Sequence, residues 1–491
     1  MRRVILRTLL SSALFGIATG AAVAQPFAYV ANANSNSVSG YSVDSVTGAL
    51  TQLAVSPFPA GLGPYLITAT PSGKFVYTSN SISNDISGYQ LTGMSGALTS
   101  ITGSPFATGR TPFFLAISPS GKFLYTPNYN DADISAFSID GVKGALTMVA
   151  GSPFPAGTGP QALAFSPSGN YLFASNAGSD NVSAFAVNSD GSLGQLTGSP
   201  YATGSYPFGL AVSPSGRFLY VPCTHSGSIY AYAIDNTGAL TQISGSPFAT
   251  PGQPAHVAIT PSGRFLYAAE SPSNDVAGFA INKTTGALAP ITGSPFAAGS
   301  YPYTVTITSS GQFVYVTDAS SDQVSGYSID ASTGALKPLD PPTVATGSTP
   351  VSLAIANPAV KTCGAPDVSR EATLAPGTYT RQSRGSDLWN ETLGITNGVT
   401  PISGPLSVVL ADLPSSTTTL SGTYPGLTTT YCFSAAGNYV VPIDSLIPPG
   451  NDDTLLPGEL LSAQFVFATT GGSGVKPTHY KAKLISGTLD K

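Results

Sequence analysis

One phrase recurs along the first 360 residues and limits what this chain can fold into. It has the form P-x-x-L-A-I-S-P-S-G-K-F-L-Y-x-x-N and is followed by G-A-L-T-x-I-x-G-S-P-F. Its turn glycines are 47 or 48 residues apart, at Gly73, Gly121, Gly169, Gly216, Gly263 and Gly311. This period is typical of a four-stranded blade, so the sequence predicts an all-β propeller.

Turn residues place the strands within one repeat. Residues 114–118 predict a first strand, and the Ser-Pro-Ser-Gly sequence that follows is typical of a tight turn. Residues 122–126 predict a second strand. The alternating apolar positions of residues 134–139 predict a third, and residues 146–149 predict a fourth.

The strands predict seven blades. The second strand occurs seven times, starting near Phe27, Phe75, Phe123, Tyr171, Phe218, Phe265 and Phe313. The first strand follows Pro64, Pro112, Pro160, Pro207, Pro254, Pro302 and Pro350. The series begins without a first strand and ends at residues 351–356 with a first strand that has nothing after it. These fragments complete one another, so we expect a closed ring without open sheet edges over residues 25–360.

The N-terminus indicates export. Arg2, Arg3 and Arg7 precede an apolar stretch at residues 8–23, and Ala-Val-Ala then ends at Ala24. This arrangement predicts a cleaved signal peptide over residues 1–24, because the apolar stretch is short for a membrane span. We expect a periplasmic or secreted protein with no membrane span after cleavage.

Composition and the remaining segments set further limits. The net charge is −5 and the sequence has no run of basic residues, so we expect no binding to nucleic acid.

Residues 361–491 lack the repeat, and their apolar runs predict a second all-β unit. In an oxidising compartment Cys363 and Cys432 of this unit are expected to form a disulfide. Cys223 lies in the propeller and is expected to be a small buried residue.

The fold predicts where a site would lie. The start of each first strand and the end of each second strand meet at one mouth of the central channel, which is the default binding site. Second strands end at Asn32, Asn80, Asn128, Asn176, Cys223, Glu270 and Asp318. The mouth would therefore gather candidate catalytic and ligand-binding groups, namely Arg110, His256, Glu270, Gln161, Asp318, Asn128 and Asn176.

Two of these sets have a structural alternative. The repeated asparagines can instead bond turn backbone. The aromatic residues that follow the prolines can pack between blades instead of binding a sugar, and they are Tyr65, Phe113, Phe208 and Tyr303.

The repeat resembles the seven-bladed lactonase family, which includes 6-phosphogluconolactonase-like and muconate-lactonizing-like proteins. The likeness spans the propeller and is carried by phrases such as S-P-S-G-K-F-L-Y at residues 118–125. The resemblance implies a Pro-Arg-His sequence before one first strand and a Glu that ends the following second strand. Here His256 and Glu270 are retained, while Ala255 replaces the Arg. The region after residue 361 resembles the immunoglobulin-like modules of exported bacterial proteins.

Two functions remain open at this stage. The first is a non-catalytic propeller that binds a glycan, protein or surface component. The second is a hydrolase of a neutral or carboxylate-bearing lactone, with Glu270 or His256 as general base. Arg110 would bind a substrate carboxylate or stabilise the developing oxyanion. We expect no cofactor and no metal, because no Asp-rich loop or His cluster occurs. We expect a monomer.

Overall fold

The computed structural model describes residues 26–92 and 95–357 with their side chains, and beyond them only the backbone of strands between Ala372 and Ser486. Residues 26–357 form seven antiparallel sheets, which confirms the all-β, seven-bladed propeller. The predicted signal peptide lies outside the described residues. No helix among the described residues has the length and hydropathy to cross a bilayer.

Each blade has four main strands, and blades are numbered here by their second strands in chain order. The inner strands of blades 1 to 7 line the channel, and they are Pro350–Ala356, Pro64–Ala69, Ala116–Ile117, Pro160–Phe165, Ala211–Val212, Pro254–Ile259 and Pro302–Ile307. The second strands begin at the predicted aromatic residues, and they are Phe27–Asn32, Phe75–Asn80, Phe123–Asn128, Tyr171–Asn176, Phe218–Cys223, Phe265–Glu270 and Phe313–Asp318.

The outer half of each blade carries a third strand, an outer strand and, in six blades, a two-residue strand. The third strands are Ser37–Val43, Asp85–Thr92, Asp133–Ile139, Asn181–Val187, Ser228–Ile234, Asp275–Ile281 and Gln323–Ile329. The outer strands are Leu50–Gln52, Ala97–Ser100, Leu146–Met148, Leu193–Gln195, Leu240–Gln242, Leu288–Pro290 and Leu336–Ala345. The two-residue strands pair with the third strands and are Phe58–Pro59, Phe106–Ala107, Phe154–Pro155, Tyr201–Ala202, Phe248–Ala249 and Phe296–Ala297.

The ring closes as the sequence predicts. Pro350–Ala356 pairs antiparallel with Phe27–Asn32, with Phe27 opposite Ala356 and Val30 opposite Leu353. The last strand of the repeat thus completes the first blade. All of its residues except the partly buried Ile355 are buried, so no sheet edge is left open at this seam.

The inner strands of blades 3 and 5 are shorter than predicted. Blade 3 has only Ala116–Ile117 and a separate bridge between Pro112 and Asn128, where the sequence predicted a strand over residues 114–118. The rings of Phe113 and Phe114 both lie against aromatic residues of the channel. Because side chains alternate between the two faces of a regular strand, two consecutive residues can do this only where the strand is broken.

A repeated contact joins neighbouring blades at the opposite end from the mouth. The Tyr125 hydroxyl of blade 3 donates to the Gly191 carbonyl of blade 4 over 2.7 Å. Gly191 has a φ of +88°, and the Phe123 ring lies 2.5 Å from the position that a Cβ would take there. The same tyrosine-to-glycine bond recurs at Tyr29, Tyr77, Tyr220, Tyr267 and Tyr315. Blade 4 carries Phe173 at this position.

The C-terminal unit is described by its strands alone. One antiparallel sheet contains Ala372–Pro376, Leu388–Asn397, Leu460–Thr469 and Thr418–Leu420. The short strand Thr380–Arg381 also pairs with Leu388–Asn397. A second contains Cys432–Phe433, Tyr439–Pro442, Leu406–Ala411 and Lys481–Ser486, and Ile402–Ser403 pairs with Thr454–Leu455. The immunoglobulin-like assignment stays a prediction. The side chains of Cys363 and Cys432 lie outside the described residues, and so does their proposed disulfide.

Candidate functional site

Aromatic rings from non-neighbouring blades meet across the channel axis. Tyr65 of blade 2 bonds the hydroxyl of Tyr303 of blade 7, and their ring centroids are 5.8 Å apart. Phe114 of blade 3 lies 5.8 Å from the His256 ring of blade 6 and 5.9 Å from the Phe208 ring of blade 5. Such blades face one another only through the centre of the ring, so these rings fill the channel. They pack across the axis and not simply between adjacent blades.

More rings surround this plug at the mouth. Tyr129 lies 5.2 Å from Phe113, and Tyr301 lies 6.4 Å from Tyr303 in a stacked arrangement. Tyr206 stacks on His225 with ring centroids 4.5 Å apart and an interplanar angle of 25°. Tyr301 is 44% exposed, so the outer rings reach solvent while the inner ones are partly buried. "The mouth" below denotes Tyr65, Phe113, Tyr129, Gln161, Tyr206, His225, His256, Tyr301 and Tyr303.

Burial keeps Tyr65 and Tyr206 of the mouth protonated. It raises the pKa of Tyr65, and the neighbouring Tyr303 raises it further. Burial also raises the pKa of Tyr206, with a smaller contribution from Tyr129, while Gln161 lowers it. The hydroxyls of Tyr65 and Tyr206 therefore act as neutral donors and acceptors at physiological pH.

Two of these tyrosines have a strained backbone. Tyr206 and Tyr301 each precede the proline of an inner strand and have a φ of +58°. Glycine occupies the same position in blades 2 and 4, at Gly63 and Gly159. A bulky residue in the left-handed region costs about 1 kcal/mol, and such strain concentrates at functional sites.

His256 lies on the axis and is neutral. Burial lowers the pKa of His256 to about 4. Its Nδ1 accepts the backbone N–H of Val305 over 3.4 Å. In a neutral imidazole whose Nδ1 accepts, the other nitrogen carries the proton, so Nε2–H is a hydrogen-bond donor. In this state His256 can bind a carbonyl or hydroxyl oxygen but is not set up as a base.

Glu270 lies within blade 6 and is fully buried. Its Oε2 accepts the Gly252 N–H over 3.1 Å, and its Oε1 has no hydrogen-bond partner. Burial, followed by the nearby Asp275, raises the pKa of Glu270 to about 8. Ala269 is the residue paired with His256, and alternation along the strand directs the next side chain to the opposite face. The structure therefore does not bring Glu270 and His256 together.

The amide at the end of the second strand bonds to the third strand of its own blade. Asn128 Nδ2 donates to Asp133 Oδ1 and Ser135 Oγ over 2.6 and 2.8 Å. Asn176 bonds to Asn181 and Ser183 in the same manner. These partners are side chains, so the alternative of bonds to turn backbone was wrong. Both asparagines are fully buried, and ligand binding by them stays a prediction.

Asp318 replaces the amide in blade 7. Its Oδ2 accepts the Ser325 hydroxyl over 2.6 Å, and burial raises the pKa of Asp318 to about 6. Like the asparagines it is fully buried within its blade. A role for Asp318 in ligand binding also stays a prediction.

Arg110 is held by an ion pair. Its Nε lies 2.6 Å from Asp131 Oδ1, its backbone N–H donates to Asp131 Oδ2, and its side chain is 70% exposed. A second nitrogen donates to the Asn130 carbonyl over 3.2 Å. The guanidinium would have to leave Asp131 in part to bind a carboxylate or an oxyanion.

Sequence reasoning placed Gln161 and His256 at the mouth but did not single out its outer rings. Tyr206 and Tyr301 carried a usable signal, because each puts a large ring at a position where the other repeats have glycine, threonine or glutamine. Tyr129 and His225 follow the ends of second strands, where the repeats vary, and carried no such signal. Among the described residues no cluster of His, Cys, Asp and Glu could hold a metal ion.

Comparisons with known proteins give the same architecture. The profile of the family described as "Lactonase, 7-bladed beta-propeller" matches residues 21–158, 148–252 and 242–353. A candidate 6-phosphogluconolactonase of Bacteroides uniformis is similar at 22% identity and a TM-score of 0.60, covering 68% of this chain and 99% of that chain. The periplasmic gluconolactonase PpgL of Pseudomonas aeruginosa is similar at 20% identity and a TM-score of 0.57, covering 67% and 99%. At these identities the likeness shows the fold alone. No curated protein matches.

Proposed function

Because this chain belongs to the family of seven-bladed β-propeller lactonases, we propose its function from the mouth that this fold builds here. The protein binds a small, uncharged, ring-shaped ligand at the mouth. The observation that carries this proposal is the set of rings from several blades around one opening, with neutral hydroxyl and amide groups between them. Binding sites of this kind are mostly apolar, with a few polar groups that orient the ligand.

The charges of the site support an uncharged ligand. The residues that define the mouth are aromatic, histidine or glutamine, and the nearby Arg110 is paired with Asp131. A sugar phosphate would need several cationic donors for its dianion. The ligand can be a free sugar or cyclic ester, or the end of a glycan. We also propose that the protein works in the periplasm or outside the cell, which the N-terminal sequence supports.

Binding is tested with the full chain by saturation-transfer NMR and calorimetry against neutral sugars and neutral lactones. We expect several of these ligands to bind, and Tyr301→Ala to weaken binding about tenfold, since an exposed stacking ring is lost. Tyr171→Phe is the matched control, because Tyr171 lies at the other end of its strand and bonds an exposed carbonyl. Failure of every ligand in the panel to bind the unaltered protein would refute the proposal.

Lactone hydrolysis is the second candidate, and the axial His256 favours it. Water adds to the ester carbonyl, the ring C–O bond breaks, and a hydroxy acid is formed, which ionises to a hydroxy carboxylate and a proton. With Nδ1 occupied by Val305, His256 would donate Nε2–H to the developing oxyanion, and another group would have to take the proton of water. Turnover of neutral lactones that survives His256→Ala combined with Glu270→Gln would eliminate this assignment.

A further inference from the structure

Blade 4 has the one inner-strand start in the ring that carries an amide. Gln161 stands where other blades place Tyr65, Phe113, Phe208 and Tyr303. It lies in a bulge between the paired residues Pro160 and Ala162. Only 2% of Gln161 is exposed, and its Oε1 has no hydrogen-bond partner. A buried unpaired polar group costs about 1–3 kcal/mol, so this position carries a penalty that a ligand hydroxyl would remove.

Aromatic groups surround this amide on both sides. Tyr129 of blade 3 lies against Gly159, with its ring 3.0 Å from the position of a Cβ there. On the blade 5 side, Tyr206 stacks on the exposed His225. Tyr129 raises the pKa of the Tyr206 hydroxyl and Gln161 lowers it, so both residues lie close to this hydroxyl. We call Tyr129, Gln161, Tyr206 and His225 the blade 4 niche.

The two blades that flank the niche have the shortened inner strands. In blades 3 and 5 the inner strand spans only two residues, Ala116–Ile117 and Ala211–Val212, besides one isolated bridge in each blade, whereas in blade 4 it spans six, Pro160–Phe165. Tyr206, which precedes the shortened inner strand of blade 5, has a left-handed backbone with a φ of +58°. A bulky residue with a left-handed backbone and an unpaired amide therefore occur together at this place.

We propose that the blade 4 niche binds one intact, neutral pyranose ring of a glycan. This inference rests on the proposed function and specifies its ligand. A pyranose has an apolar C–H face and a hydroxyl edge, which match the stacked Tyr206 ring and the Gln161 amide oxygen. The niche contains no Asp, Glu, Lys or Arg side chain, and the adjacent Asp180 carboxylate accepts the Tyr206 backbone N–H over 2.8 Å. A phosphate would find no Lys or Arg in the niche.

The test uses the full chain and calorimetric titration with neutral di- and trisaccharides. Tetramethylammonium and inorganic phosphate probe the other ligand chemistries, and neutral lactones probe the wider mouth. We expect Gln161→Leu and Tyr206→Gly each to weaken saccharide binding about tenfold or more, without loss of thermal stability. The matched control is Thr349→Gly, which relieves a φ of +56° at the same position of blade 1 and should leave the affinity unchanged.

The outcomes separate the niche from the function on which it rests. Saccharides that bind the unaltered protein and both niche variants equally would overturn the niche and leave the proposed function standing. Preference for tetramethylammonium or phosphate would overturn the ligand class. Binding of lactones but of no saccharide would overturn this inference alone. Absence of binding by every neutral ring ligand would overturn both proposals.

Discussion

At the scale of single residues, blade 6 exchanges a neutral amide for an acid. Asn128 at this position donates to two side chains of its own blade, whereas Glu270 has only acceptor oxygens when it is ionised. One of these oxygens is buried without a partner, and Asp275 lies nearby. Burial disfavours the charged form, so the folded protein retains the proton at a pH where the unfolded chain releases it.

This difference predicts a pH-dependent stability. With the pKa of Glu270 raised to about 8 in the folded state, the folded chain binds more protons between pH 4.5 and 8. The stabilising contribution is complete below pH 4.5 and is lost progressively as the pH rises through 8. Glu270→Gln should reduce the change in the thermal unfolding midpoint between pH 4.5 and 8, as measured by calorimetric scans.

Asp318→Asn provides the comparison for the Glu270 variant. Burial raises the pKa of Asp318 to about 6. Removing this carboxyl should therefore reduce the pH dependence of the unfolding midpoint only below pH 6. If Glu270→Gln gave a curve parallel to that of the unaltered protein, the carboxyl would be ionised in the fold and our account of its burial would be wrong.

At the scale of elements, the tyrosine-to-glycine bonds join six of the seven blades to the next blade at the end opposite the mouth. The Tyr125 hydroxyl and the Gly191 carbonyl are both buried. The turn at Gly191 has a left-handed backbone, and a Cβ there would meet the Phe123 ring. Removing the hydroxyl leaves a buried carbonyl unpaired, which costs more than the bond itself contributes. In these six blades the tyrosine and the glycine therefore act as a pair.

Tyr125→Phe should lower the free energy of unfolding by about 1–2 kcal/mol, because the Gly191 carbonyl loses its donor. Tyr171→Phe removes a hydroxyl bond to the exposed Asn236 carbonyl and should change it by less than about 0.5 kcal/mol. Denaturant titration monitored by circular dichroism measures the free energy of unfolding of both variants. Equal losses in the two variants would show that the bond between blades contributes nothing specific.

The elements also show how far sequence reasoning reached. Turn glycines and aromatic positions are local signals that repeat, so the second strands were predicted to begin near the residues where the structure begins them. The break in the blade 3 inner strand depends on Phe114 meeting Phe208 and His256 of distant blades. Strand alternation within one repeat carries no information about such contacts across the axis. The predicted site therefore needed more correction than the predicted fold.

At the scale of the whole molecule, ring closure depends on one strand at the end of the repeat region. Pro350–Ala356 supplies the inner strand of blade 1 and buries Val351 and Leu353. It also contacts both neighbouring blades, since the Ser352 hydroxyl donates to the Tyr65 carbonyl and Thr306 donates to the Leu353 carbonyl. Its loss would expose the edge of blade 1 and remove one wall of the channel.

Two truncations separate closure from chain length. A chain that ends at residue 357 keeps this strand and should retain the thermal unfolding midpoint of the propeller. A chain that ends at residue 346 loses it, and burial of two aliphatic side chains at about 1.5–3 kcal/mol each disappears with a backbone ladder, so it should unfold at a much lower temperature or aggregate. A synthetic peptide of residues 348–357 should bind the open edge and raise the midpoint of the shorter chain, since strand addition restores the ladder. Identical midpoints for the two truncations would mean that blade 1 is stable without its inner strand, and the ring would not depend on this seam.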